Sequence, residues 1–208
     1  MIPIETLVPF FLASVLLALA PGPDNIFVLT QSALYGQISG FYVTLGLCTG
    51  LFVHTTVVVL GVAAIFQASA LAFTLLKLVG ACYLLYLAWR AFHVSTTEIK
   101  ANHHDRKPFG ALYRRGIIMN VTNPKVSIFF LAFLPQFADP DRGSLSLQLI
   151  LLGGLFIIAT VLVFGSIAFL AGTIRQRLLQ SNKVQIMMNR VAGMIFVGLA
   201  LKLLATRH

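Results

Sequence analysis

Apolar residues run almost unbroken through six stretches of the chain, 7–31, 40–66, 71–92, 115–136, 146–172 and 186–206. Each is about the length that crosses a bilayer's hydrocarbon core, roughly 20 residues of helix. The pattern predicts an all-α integral membrane protein of six transmembrane helices. The connectors are short except 93–114, a polar segment containing "STTEIKANHHDRKPFG" with no apolar periodicity, which reads as a loop. Residues 1–92 and 115–208 then form two three-helix halves of a single membrane domain. Spans 1 and 4 differ from the others in carrying breaks near their middles.

Composition and charge support that reading. Of 208 residues 58% are hydrophobic and 10% charged, and the mean hydropathy is +0.91. Soluble domains usually carry about 25% charged residues. The net charge of +9 does not point to nucleic acid, because the basic residues lie in connectors rather than in a surface stripe. Arg90, Lys100, Arg106, Lys107, Arg114, Arg115, Arg175, Arg177, Lys183 and Arg190 fall on one side of a six-span chain, against Arg142, Lys202 and Arg207 on the other. The positive-inside rule places the richer side in the cytoplasm. Loops 93–114 and 173–185 are therefore expected inside and both termini outside. Ala18-Leu19-Ala20 mimics a signal cleavage site, but no basic region precedes it and Pro21 follows at once, so the stretch reads as a retained span. Cys48 and Cys82, far apart, read as two small buried hydrophobes.

The breaks carry the chemistry. In "LALAPGPDNIFVL", residues 17–29, Pro21 and Pro23 lack amide hydrogens and leave carbonyls around Leu17 to Leu19 without helical partners. Such orphans cost several kcal/mol each in lipid and are tolerated where protein or a wet cavity supplies partners. Gly22 lets the backbone turn and Pro23 suits the first position of a restarted helix. Span 1 is expected as two half-helices meeting at residues 21–25. Span 4 repeats the device in "NVTNPK", where Asn123 is the cap and Pro124 the restart. "PDNIFVL" resembles "PKVSIFFL", aligning Pro23 with Pro124 and Asp24 with Lys125. "KLVGACYLLYLA" more faintly resembles "RVAGMIFVGLAL". Three spans per repeat forces the halves into opposite orientations, the plan of many secondary transporters, whose sites lie near the midplane.

Asp24 and Lys125 are the most deeply placed charges, and an unpaired ion at mid-bilayer costs at least about 2.5–3.5 kcal/mol. Free amides of a restarted helix attract an anion and free carbonyls a cation. A ligand carrying both a carboxylate and an ammonium fits, which describes a free amino acid; a phosphonate or a simple cation stays open. The candidate substrate-binding set is Pro21, Gly22, Pro23, Asp24, Asn25, Asn120, Asn123, Pro124 and Lys125. The competing reading is a proline kink used for packing, with Asp24 and Lys125 in a buried salt bridge. Gly46, Gly50 and His54 share one face of span 2; the glycines permit close helix contact, and the imidazole serves as a packing group or, with Asp24, as a proton-coupling candidate. Lys77 and Arg190 can snorkel to the interface. His103-His104 is too sparse for a metal site. Thr160 and Ser166 are further intramembrane polar groups, and Gly153-Gly154 packs helices within a chain or between chains, leaving a homo-oligomer open.

"APGPDN" at 20–25, "GLCTG" with His54 following, "TNPKVSIFFLAFLPQF" at 122–137 and the closing "GMIFVGLAL" resemble the RhtB/LysE family of amino acid exporters, over the whole chain. The resemblance implies export of amino acids or their analogues across the bacterial inner membrane, by proton antiport, without a cofactor. A metal or other cation exporter is the alternative, but it calls for several carboxylates, thiols or histidines at one depth. A membrane enzyme or thiol–electron carrier would need a nucleophile–base pair or neighbouring cysteines.

Overall fold

A computed structural model describes residues 2–68, 70–93, 107–180 and 182–205, all helix and short connections. The helices are α1 (Ile4–Leu19), α2 (Pro23–Tyr35), α3 (Gln37–Ala68), α4 (Ala70–His93), α5 (Phe109–Val121), α6 (Pro124–Ile128), α7 (Leu145–Gln180) and α8 (Asn182–Ala205). After α6 the chain continues as a π turn, Phe129–Phe133, and a 3₁₀ turn, Leu134–Phe137. Pro135 accounts for the change of pitch: it has no N–H to give to Leu131, so the ladder loosens before it and tightens after it.

Gln37–Gly61 and Leu145–Ala171 are long and apolar enough to cross a membrane. Two bent pairs also qualify when each is taken as one broken span, α1 with α2 at 64° and α5 with the 124–137 segment at 49°. The described residues thus hold up to four candidate spans. α4 and α8 pack on each other, and α3 packs on α7. Packing crosses between the halves: α5 lies on α3, α1 and α2 lie on α7, the π turn touches α4 and α1 touches α8, while α2 also packs on α3 of its own half.

Three expectations need correction. Residues 109–114 are not loop but the first turns of α5, because Pro108 supplies an extended start (φ −62°, ψ 147°), Leu112 is buried and Phe109 stacks on Tyr42 at 4.5 Å. The segment 173–185 is likewise helical apart from Ser181, which lies outside the described residues; Arg, Gln and Leu there are good helix formers, and a helix need not end at the membrane surface. Cys48 is buried, but Cys82 is exposed on the outer face of α4 beside Leu78, Val79 and Tyr86. His103 and His104 lie outside the described residues.

Lipid is as apolar as leucine, so burying apolar side chains inside the bundle gains little by itself; close packing and hydrogen bonds hold such a fold together. Two buried clusters stack along the bundle. One gathers Phe10, Phe129, Phe130, Phe133, Phe137 and Phe156, with successive ring centroids 4.9–6.0 Å apart. The other, smaller, joins Ala18, Val28, Val43, Leu47, Phe164 and Ala168. Along α7 the change from one to the other falls between Phe156 and Val163, and along α3 between Leu51 and Leu47. The helix breaks lie at that seam.

α3 and α5 touch backbone to backbone. A Cβ at Gly46 would overlap the carbonyl of Tyr113 and stand 2.9 Å from Gly116 Cα; one at Gly50 would stand 2.7 Å from the Asn120 side chain. Gly46→Leu should therefore force the pair apart and lower stability by more than the about 1–3 kcal/mol typical of overpacking. Gly154→Ala, where nothing lies within 4 Å, should leave the melting temperature unchanged or slightly raised. Thermal unfolding in detergent checks both.

Candidate functional site

Both breaks are built alike. Gly22 precedes α2 in extended backbone (φ −165°, ψ 176°) with Pro23 first in the helix, and Asn123 precedes α6 with Pro124 first. The break in span 1 is tighter than 21–25: α1 ends at Leu19, and Asp24 and Asn25 already belong to the first turn of α2. Asn123 caps its helix, its Oδ1 accepting from Lys125 N–H at 3.0 Å. Gly22 has no such side chain, and a Cβ there would stand in van der Waals contact with Lys125 Nζ at 3.4 Å, so the ammonium lies directly beside the first break.

The orphan carbonyls of α1 are met from within the chain. Lys125 Nζ donates to Leu17 O at 3.1 Å and to Ala20 O at 3.0 Å, and Asn25 Nδ2 donates to Ala18 O at 2.7 Å. In return Asn123 Nδ2 donates to Asp24 Oδ2 at 2.7 Å. The two breaks therefore clasp each other across 99 to 108 positions of sequence. Electrostatics explains the arrangement. A cation at the start of α6 opposes that helix's own dipole, but reaches the negative end of α1; Asp24 sits at the positive end of α2. Asp24 and Lys125 are 3% and 8% exposed, so neither charge is left to solvent or lipid.

Asp24 and Lys125 share this site without forming an ion pair; among the described residues the salt bridge present is Arg142 to Asp139. The buried salt bridge is thus not how the lysine is held. Sequence reasoning did not anticipate that the cation attracted to the carbonyl end of α1 is Lys125 itself, nor that Asn25 closes the third carbonyl.

His54 and Asn120 meet one turn away. His54 Nε2 donates to the Asn120 carbonyl at 3.1 Å, which also accepts from Asn123 N–H at 3.0 Å, and the imidazole lies 5.5 Å from the Phe130 ring. The face of α3 bearing Gly46, Gly50 and His54 is thereby turned to α5 and the second break. Several buried oxygens here have no partner: Asp24 Oδ1, Asn25 Oδ1, Asn120 Oδ1 and, from α7, Thr160 Oγ1; on α2, Thr30 Oγ1 and Gln31 Oε1 add to them. Pro21 lies half-buried in the break. Ser166 bonds back to Leu162 O within its own helix, and Lys77 and Arg190 lie in α4 and α8.

Long apolar helices, two spans interrupted at matched places, and a buried layer of charges and amides between two apolar clusters define a multi-pass membrane protein with a polar interior site. Comparison with known proteins identifies its kind. The model of the LysE type translocator family matches residues 15–207, and the chain belongs to that family. It is 34% identical, over 96% of both chains, to the homoserine/homoserine lactone efflux protein of Salmonella typhimurium, and 33% identical over the same shares to that of Salmonella typhi. An uncharacterized membrane protein of Vibrio cholerae is 34% identical over 95% of both. No solved structure matches.

If the clasp holds the breaks together, Lys125→Met strips two bonds from the end of α1 and leaves buried carbonyls bare, at roughly 1–3 kcal/mol apiece. Lys125→Arg, which keeps N–H donors, should recover part of the loss. Melting temperatures of the two variants in one detergent read this out, and equal values for Lys125→Met and wild type would dismiss it.

Proposed function

We propose that this protein is a secondary exporter of amino acids or close derivatives across the bacterial inner membrane, coupled to proton entry. In this reading six helices cross the bilayer, α4 and α8 included, as two inverted repeats meeting at the two breaks. The packing of α5 on α3 and of α1 and α2 on α7, across the halves, supports the repeat. So do Pro23 and Pro124 standing at the same place in their half-helices.

The observation that carries the proposal is the set of buried oxygens without donors at the break: Asp24 Oδ1, Asn25 Oδ1 and Asn120 Oδ1. An unsatisfied buried acceptor costs about 1–3 kcal/mol, so the layer calls for a ligand rich in N–H. An α-ammonium brings three donors and a positive charge, and Asp24 is the matching anion. The built-in cation is already engaged by two carbonyls, so recognition of the ligand's carboxylate is the lesser part. That balance accords with relatives named for both an amino acid and its lactone, which share the ammonium and differ at the carboxyl group.

Transport then follows from competition. A substrate ammonium seated on Asp24 draws it away from Asn123, and a substrate carboxylate draws Lys125 from the carbonyls of α1. Either loosens the clasp between the halves and so favours the alternate state by its differential contacts. Asp24 is the proton carrier of this scheme and His54 the second candidate. Thr160, buried on α7 with its hydroxyl unpartnered, is a further polar group this scheme can draw on.

Proteoliposomes loaded with homoserine or its lactone test the proposal. Efflux of both should rise when the outside is made acid, and N-acetylated homoserine should stay inside. Asp24→Asn, which removes one charged partner, should slow efflux by about 10- to 100-fold, as the loss of about 1.5–3 kcal/mol implies. Lys125→Ala should do likewise. Undiminished flux in both variants would refute the site, and flux indifferent to the pH gradient would refute the antiport.

A further inference from the structure

Away from the breaks, α5 has a second face. Leu112, Tyr113, Gly116 and Asn120 turn towards α3, where Tyr113 OH and Thr49 Oγ1 are 2.9 Å apart. Lys107, Ala111, Arg114, Arg115, Ile118 and Met119 point the other way and line an open cavity of about 400 Å³. Positions 107, 111, 114, 115 and 118 recur at the spacing of a single helix face. The cavity is strongly graded: among the described residues its Lys107–Arg115 end carries three cations and no acid, and aliphatic side chains follow towards the middle of the bundle. Ile118 lies one turn beyond Arg114, about 6 Å along the axis.

Lys107 and Arg114 are exposed, and neither makes an ion pair with a described residue. The Arg115 guanidinium lies 4.9 Å above the ring of Phe27 from α2, which fixes its head at the cavity edge. This cluster belongs to the basic side of the chain, the side the charge asymmetry assigns to the cytoplasm. Cations at headgroup level above an apolar floor match one ligand in both halves, and basic pockets beside membrane helices on that side take anionic lipid headgroups.

We propose that this face of α5 is a binding site for an anionic phospholipid, with the phosphate held by Arg114, Arg115 and Lys107 and an acyl chain lying over Ile118 and Met119. The inference rests on the cytoplasmic orientation of that side in the proposed topology, but not on the transported substrate. A free anion has no use for the aliphatic floor, and a zwitterionic lipid gains little from three cations. Because α5 ends at the second break, the lipid would brace the same helix that carries Asn120.

Native mass spectrometry of the full chain, delipidated and then titrated with phosphatidylglycerol or phosphatidylcholine, tests this without any transport assay. We expect at least tenfold stronger retention of phosphatidylglycerol, lost in Arg114→Gln/Arg115→Gln and reduced in Lys107→Gln. Ile118→Ser should weaken the lipid adduct while leaving any inorganic phosphate adduct as it was. Equal retention of the two lipids, or unchanged phosphatidylglycerol binding in the arginine variants, would overturn the site. Full displacement of the lipid by millimolar inorganic phosphate would overturn the lipid as occupant. A chain that binds the lipid but fails to move homoserine would separate this inference from the proposed function.

Discussion

Leu17 O, Ala18 O and Ala20 O are the groups on which the structure turns. Two prolines leave the end of α1 without its continuing helix inside an apolar candidate span, and each bare carbonyl there is expensive. The chain meets the debt with Lys125 and Asn25, while Asn123 holds Asp24. A lysine so placed is unfavourable at the head of its own helix and favourable at the foot of another. Each break thus takes part of its hydrogen bonding from the other half of the chain.

The rest of the packing serves that meeting. Gly46 and Gly116 bring α3 and α5 together at backbone distance, which sets the second break against the first. The six-phenylalanine cluster fills one side of the seam, and a thinner cluster of small and branched side chains fills the other. Four of the six rings come from the sequence after Lys125, "VSIFFLAFLPQF", whereas the matching segment after Asp24 is smaller and more polar, "NIFVLTQSALY". Two alike devices thus have unlike surroundings.

Much of this was legible in the sequence because helix breakers and charges inside apolar runs have few uses. The breaks, the depth of Asp24 and Lys125, the orphan carbonyls near Leu17 and the shared face of Gly46, Gly50 and His54 all follow from spacing and chemistry. What each polar group reaches does not. Lys125 bonds carbonyls 105 and 108 positions away rather than Asp24, a long-range contact that periodicity does not carry. Helix ends were misread where polar helix lies beyond the apolar run, at 109–114 and through 173–180, since hydropathy marks the membrane and not the helix. Cys82 does not read as exposed because α4 is apolar on both faces, and the pattern does not say which one meets protein.

A double-mutant cycle on Asp24 and Asn123 addresses the clasp most directly. Unfolding free energies would be measured in nanodiscs for wild type, Asp24→Ala, Asn123→Ala and the pair; the cap that Asn123 gives α6 cancels in the cycle. A hydrogen bond to a buried carboxylate predicts a coupling of about 1.5–3 kcal/mol. Additivity within about 0.5 kcal/mol, as for sites that do not touch, would contradict the account.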